Sequence, residues 1–170
     1  EKRNELGGLL LAAGGPRFKQ DVADYVQYLI SKLHRNNVKV SLMKEATPEE
    51  VLAGNYDKVI VATGANPIMP PIKGIDESYV VGANDLLTNR RGYGKKVVVV
   101  GGGLVGCETA CHCADKSDDV TIIEILPEVL MTVHHSKNND QALRQLMKDC
   151  NIKTITDAKV VEFKDNMVVY

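Results

Sequence analysis

Apolar and polar positions fall into two kinds of block along this chain. In residues 19–35, Val22, Tyr25, Val26, Leu29, Ile30 and Leu33 recur at helical spacing, with Asp21 and Asp24 near the N-terminal end. A helix is expected there, closed by Asn36 and Asn37. Residues 38–42 alternate apolar and polar positions as a half-buried strand does. Thr47, Pro48, Glu49 and Glu50 supply a hydroxyl cap, a proline at the first position and two acids, so a short helix is expected to run to about Gly54. Residues 57–64 hold the unbroken run Val59-Ile60-Val61 and then Thr63-Gly64, the pattern of a buried strand entering a small-residue turn. Glycines and Pro16 make residues 1–17 irregular, and Pro67, Pro70 and Pro71 make 66–71 an extended linker.

The second half repeats the alternation more sharply. Residues 83–87 read as a short helix and 90–96 as a basic loop containing glycine. Four valines, 97–100, then enter a glycine turn in which Gly101, Gly103 and Gly106 fit G-x-G-x-x-G. A helix-compatible stretch follows, then the apolar run 120–123, ending in Glu124. Strand, turn, helix, strand and carboxylate is the layout that holds a dinucleotide. Gly101 allows a tight turn, Gly103 lets the backbone approach a pyrophosphate, and Gly106 lets the helix lie close to the strand. The free N–H groups of the helix's first turn point at the phosphates, with the helix dipole behind them. The cofactor-binding set is therefore Gly101, Gly102, Gly103, Leu104, Val105 and Gly106, with Glu124 close to the offset of about 20 residues expected of a ribose-binding acid. A carboxylate there accepts hydrogen bonds from ribose hydroxyls and repels a 2′-phosphate. The next residue is Ile125 rather than an arginine, so NAD(H) is expected over NADP(H). Beyond Glu124, a helix is expected over 140–149, a strand over 152–156 and a hairpin from 160–163 and 167–170. His134 and His135 fall in a stretch of little periodicity and read as loop residues.

Composition narrows the class. The chain has 170 residues, 44% of them hydrophobic and 25% charged. That is ordinary globular usage, enough for one domain or for one small domain and a piece of another. A net charge of −1 leaves no basic footprint for nucleic acid and no polybasic membrane signal. No apolar run approaches the roughly 18 residues of a spanning helix, and no signal peptide opens the chain. A soluble cytoplasmic protein is expected. Neither a strand nor a methionine precedes Glu1, which suggests a fragment or an internal domain. Of the cysteines, Cys107, Cys111 and Cys113 share one expected helix and Cys150 lies apart, with no C-x-x-C among them. Adjacent helical side chains diverge by about 100°, so Cys111, His112 and Cys113 cannot converge on one ion. They read as small buried hydrophobes, and no metal site is expected.

The series E-K-R-N-E-L-G-G-L-L, then K-V-I-V-A-T-G-A-N-P-I-M-P-P-I-K-G-I-D, then V-V-V-V-G-G-G-L-V-G-C-E-T-A with V-T-I-I-E resembles the pyridine-nucleotide part of two-dinucleotide flavoproteins. More narrowly, it is similar to the C-terminal half of the 2-enoate reductase and 2,4-dienoyl-CoA reductase family of NADH:flavin oxidoreductases. The resemblance implies an α/β fold, a Rossmann-like three-layer nucleotide-binding domain with an incomplete piece of an FAD domain. Residues 1–70 would be the partial FAD domain, lacking its first strand and glycine motif. Residues 71–95 would be linker and short helix, and 96–170 an NAD(H) domain lacking its last strand. It further implies that Glu1 holds the FAD ribose and that Thr63 and Gly64 pass near FAD. Glu108 matches a glutamate near the nicotinamide, where it would orient the ring; a plain acid near a helix N-terminus explains it as well. FMN and a 4Fe-4S cluster would sit in a separate N-terminal barrel, which reduces an activated alkene.

On that reading the chain is an electron-entry module. NADH passes hydride to FAD, and no residue of the chain acts as acid or base. The alternatives are an electron-input domain of another flavoprotein reductase, a non-catalytic nucleotide-binding domain, and a self-contained dehydrogenase, for which no proton-transfer residue is apparent. Sheet edges left by absent strands could pair with a second copy.

Overall fold

The computed structural model describes residues 1–131 and 137–170 as an α/β chain. It divides into two compact units, Glu1–Gly15 with Lys19–Pro67, and Pro16–Phe18 with Ile68–Tyr170.

The first unit is helical. A short helix α1 (Leu10–Ala13) packs on α2 (Gln20–Arg35). Val26 of α2 is buried, and Val22, Leu29, Ile30 and Leu33 are half-buried on the same side. Tyr25, which belongs to the same periodic set, instead stands outside at 56% exposure, stacked on Tyr28 with ring centroids 6.1 Å apart. Helix α1 is absent from the sequence reading, because its flanking glycines mask four ordinary helix formers. A third helix, α3 (Pro48–Ala53), starts as expected. Thr47 Oγ1 accepts from the Glu50 N–H at 3.3 Å and Glu50 Oε2 accepts from the Thr47 N–H at 3.4 Å, a reciprocal capping box.

Two expected strands do not form. Residues 38–42 and 57–64 carry no ladder, and Ile60 and Val61 are 90% and 80% exposed. A strand needs a laterally bonded neighbour, and an apolar run alone does not supply one. Residues 57–64 have no such neighbour among the described residues, and beside 38–42 only scattered bonds form, the Glu1 amino group donating to the Ser41 carbonyl at 3.0 Å and the Met43 N–H to the Arg3 carbonyl at 2.9 Å.

The second unit contains α4 (Ala83–Leu87), β1 (Lys96–Val100), α5 (Leu104–Ala114), β2 (Asp119–Ile123), α6 (Lys137–Asp149) and β3 (Lys153–Ile155). A hairpin, β4 (Glu162–Lys164) and β5 (Met167–Val169), follows. Strands β1, β2 and β3 form a parallel sheet in that order, with Val98 opposite Thr121 and Ile123 opposite Ile155. Parallel neighbours need crossovers, and α5 and α6 supply them. Asp165 and Asn166, both at positive φ, turn the hairpin; their short polar side chains tolerate the left-handed region.

The core lies where α5 meets the sheet. Ile122, Cys107, Ala110 and Cys113 are all 0% exposed. A second cluster joins Ile123, Val160 and Phe163. The segment that enters this unit is bonded to its last hairpin. The Phe163 N–H donates to the Lys73 carbonyl at 2.8 Å, and Lys73 Nζ pairs with Glu162 at 2.7 Å. Gly74, at φ +77, lies so close to the Phe163 carbonyl that a Cβ would collide with it. No helix among the described residues is long and apolar enough to cross a membrane.

Ile122 is the largest fully buried side chain of the sheet. Its replacement by alanine should lower unfolding free energy by about 2–5 kcal/mol, since deletion leaves a cavity as well as losing burial. Urea denaturation of the two proteins measures this. A loss under about 1 kcal/mol would contradict its place in the core.

Candidate functional site

The site is built at the carboxyl ends of β1 and β2. After Val100 the chain turns at Gly101, whose φ of +98° lies in the left-handed region. The Gly101 N–H still reaches the Ile123 carbonyl at 2.9 Å, so the turn begins while the ladder holds. Gly103 caps α5 with no side-chain hydrogen bond, and nothing lies within 4 Å of where its Cβ would be. That open face is where a ligand can approach the backbone. At Gly106 a Cβ would run into the Gly101 carbonyl, so α5 sits as close to the turn as a side chain's absence permits. Leu104 is half-buried and Val105 is 56% exposed at the start of α5. The first N–H groups of any helix lack intrahelical partners, and here they lie beside the open face.

Gly102 is the position whose part the sequence motif does not specify. It is buried, and a Cβ there would stand 2.6 Å from Val129 Cγ1. Its N–H donates to Glu124 Oε2 at 2.6 Å. Its carbonyl accepts from the Leu130 N–H at 2.7 Å and from the Cys107 thiol at 3.3 Å.

Glu124 is 8% exposed, and its other oxygen, Oε1, accepts from the Leu126 N–H at 2.8 Å. A carboxylate offers about four lone-pair sites. Two are used by backbone N–H groups, and the others remain for a ligand. The residue's own backbone is bonded into β3 and its exit: its N–H donates to Ile155 at 2.8 Å and its carbonyl accepts from Ala158 at 3.0 Å. Beside it opens a cleft of about 610 Å³, lined by Gly101, Ile123, Glu124, Ile125, Lys159 and Val160 among others. That volume is in the range of ligand sites.

Of the other expected site residues, Glu108 is half-buried on α5, in the turn after Gly103. Glu1, Thr63 and Gly64 belong to the first unit and are exposed there. Gly64 has φ +76, with open space around it. Glu1 Oε1 accepts from the Arg3 N–H at 2.8 Å, two residues on. Glu124 accepts from Leu126 at the same spacing. The two acids thus cap their own loops alike. His134 and His135 lie outside the described residues.

The thiols form the dry side of α5. All four cysteines are free. Burial pushes Cys107 and Cys111 up to about 12 and Cys113 up to about 11. Cys150 is raised too, mainly by burial, and shares a hydrogen bond with Cys111. Burial lowers the pKa of His112, whose ring meets Tyr93 edge-on at 5.9 Å. No His, Cys, Asp and Glu among the described residues are grouped to hold a metal ion.

Known proteins are similar to this chain in sequence and in fold. Residues 11–170 match the family model described as pyridine nucleotide-disulphide oxidoreductase. Cinnamate reductase of Clostridium sporogenes is 37% identical over 130 residues, 76% of this chain and 19% of its own length. Bilirubin reductase of Mediterraneibacter gnavus is 33% identical over 168 residues, 99% of this chain and 26% of its own. A solved structure of 2-naphthoyl-CoA reductase with 2-naphthoyl-CoA superposes on 98% of this chain with a TM-score of 0.87 and 29% identity, over 25% of that protein. The chain spans about a fifth to a quarter of these relatives.

Two glycine substitutions separate packing from recognition. Gly106→Ala should lower the melting temperature, because its Cβ meets the Gly101 carbonyl. Gly103→Ala should lower it less, by no more than the loss of a glycine N-cap, and weaken nucleotide binding, because its Cβ fills only the open approach. Equal thermal shifts for the two would contradict the geometry.

The thiols give a pH prediction. Below about pH 8.5 both folded and unfolded chains keep these protons. Above it only the unfolded chain releases them, since Cys107 and Cys111 hold theirs up to about 12. Stability should therefore fall as pH rises from 8.5. Cys107, Cys111 and Cys113 should resist iodoacetamide at pH 8.5 until urea is added. Rapid native alkylation, read by mass spectrometry, would count against this.

Proposed function

Because the chain belongs to the pyridine nucleotide-disulphide oxidoreductase family, an enzyme family whose members use FAD and NAD(H), we propose that its second unit binds NADH along Gly101–Gly106 and Glu124. The observation that carries this reading is the buried Glu124 carboxylate. It is fixed by the Gly102 and Leu126 N–H groups beside an open glycine turn, with acceptor capacity left over. The pyrophosphate would lie against Gly103 and the first N–H groups of α5, where no Cβ intervenes. The ribose hydroxyls would donate to Glu124.

When bound, the nicotinamide supplies a hydride and a flavin accepts it. The chain's own residues position and exclude water. Gly101, Gly102, Leu104, Val105 and Gly106 shape the turn and the start of α5. Glu108 would orient the ring. No side chain is assigned a proton-transfer step. In the first unit, Glu1, Thr63 and Gly64 would contribute to an FAD site; the loop cap that Glu1 shares with Glu124 supports its part as ribose acceptor. Residues 1–70, 71–95 and 96–170 would serve as FAD-binding part, linker and NAD(H)-binding part.

The whole protein is read as an enoate-reductase type enzyme. In it this chain would feed electrons to an N-terminal barrel bearing FMN and a 4Fe-4S cluster, which reduces an activated alkene. Likeness to proteins named for cinnamate, bilirubin and 2-naphthoyl-CoA supports that direction. Disulfide reduction by this chain's own cysteines is disfavoured, since burial keeps Cys107, Cys111 and Cys113 protonated.

Calorimetric titration of the full-length protein tests the reading. NADH should bind more tightly than NADPH. Glu124→Gln, which keeps one acceptor oxygen and no charge, should weaken NADH about tenfold. Absence of binding by either nucleotide would sink the proposal, and equal affinity for both would remove the role given to Glu124.

A further inference from the structure

The cleft that presents Glu124 also presents a cation. Lys159 lines the same cleft, in the segment that leaves β3. Its backbone is held from both sides. The Ala158 N–H donates to the Glu124 carbonyl at 3.0 Å, and the Asp157 N–H to the Leu126 carbonyl at 3.1 Å. On the other side Val160 is buried in the cluster with Ile123 and Phe163. Lys159 is thus one residue removed from a direct backbone bond to the acid, although the two are far apart in sequence.

Its side chain is exposed and uncommitted. The neighbouring lysines are engaged: Lys153 pairs with Asp119 at 2.9 Å, Lys73 with Glu162 at 2.7 Å, and Lys164 with Asp165 at 4.0 Å. Among the described residues Lys159 has no such partner. A fixed backbone, a free ammonium and a cleft shared with the candidate ribose acceptor make a built feature.

We propose that Lys159 is a second determinant of dinucleotide choice, offering its ammonium to the 2′-phosphate of NADPH so that the site admits both nucleotides, NADH the better. The inference rests on reading the cleft as the adenosine-ribose end of the nucleotide site. Glu124 repels a 2′-phosphate, and Lys159 opposes that repulsion within the same cleft. The two therefore set the preference together. A phosphate partner need not stand at residue 125, because the connection after β3 delivers a cation to the cleft. A lysine suits this role, because its flexible stem carries a compact charge to a phosphate without demanding a fixed fork geometry. The pair would be partly solvated and so sensitive to salt.

The test is calorimetric titration of NADH and NADPH into the full-length protein, Lys159→Met, Glu124→Gln and the double variant. Methionine keeps the apolar stem and removes the charge, and an exposed position tolerates it. K159M should weaken NADPH about tenfold more than it weakens NADH, the scale of one charge-assisted contact. E124Q should raise the affinity for NADPH relative to NADH, and the double variant should lose most of that relative gain. Added salt should weaken NADPH more in the wild type than in K159M.

Three outcomes overturn the inference. One is equal weakening of both nucleotides by K159M, which would place Lys159 on the shared pyrophosphate. The second is a relative gain in E124Q that survives in the double variant. The third is NADH binding with no detectable NADPH binding. If the wild type binds neither nucleotide, the reading of the cleft itself has failed.

Discussion

The hydrogen bond from the Gly102 N–H to Glu124 Oε2, at 2.6 Å, is the contact on which the site depends. It joins the turn after β1 to the end of β2, two places that the parallel ladder alone brings near but does not lock. The Gly102 peptide is clamped at both ends, since its carbonyl takes the Leu130 N–H and the Cys107 thiol. The turn therefore has its shape before any ligand arrives. Pre-formed geometry of this kind reduces the ordering cost of binding. The same bond orients the carboxylate, so one interaction serves both the phosphate-facing and the ribose-facing halves of the proposed site.

Close packing of α5 makes this arrangement available. Gly106 brings the helix against the Gly101 carbonyl, and Cys107, Ala110, Cys111 and Cys113 present small side chains to the core. Sulfur here acts as a compact apolar filler, with one thiol lent to the Gly102 carbonyl. Because burial holds these thiols protonated, the donor at Cys107 persists through the physiological range. The family's name points to disulfide chemistry, whereas the cysteines of this chain are built for packing.

The legible part of the chain is the part governed by local rules. Helical periodicity in residues 20–35, the Thr47 hydroxyl cap with Pro48, the glycine spacing and the acid after β2 depend on neighbours a few residues away or on one crossover, and all four appear in the fold. What could not be read depends on lateral or distant partners. Residues 38–42 and 57–64 have strand-like patterns, but a pattern does not provide a continuous ladder; beside 38–42 only a few bonds from residues 1–3 form. Tyr25 fits the helical stripe by spacing, yet it faces outward, because a ring with a polar tip can be half-solvated at low cost. Gly102 looks like a spacer within the motif; only the approach of Val129 shows that no side chain fits there. That Lys159 lines the cleft beside Glu124 has no trace in the sequence, because the connection from β3, rather than any spacing, brings it there.

The bond between residues 73 and 163 reaches beyond the local geometry. The stretch by which the chain enters the second unit is stitched to the β4–β5 hairpin, through Phe163, Glu162 and the close fit of Gly74. Everything between, the sheet and both crossovers, is enclosed in one loop of the polypeptide. A contact of such long sequence separation costs loop-closure entropy that only a largely assembled interior repays. The seam therefore ties the hairpin to the sheet: whatever opens the contact between residues 73 and 163 also frees the segment that leads into the unit.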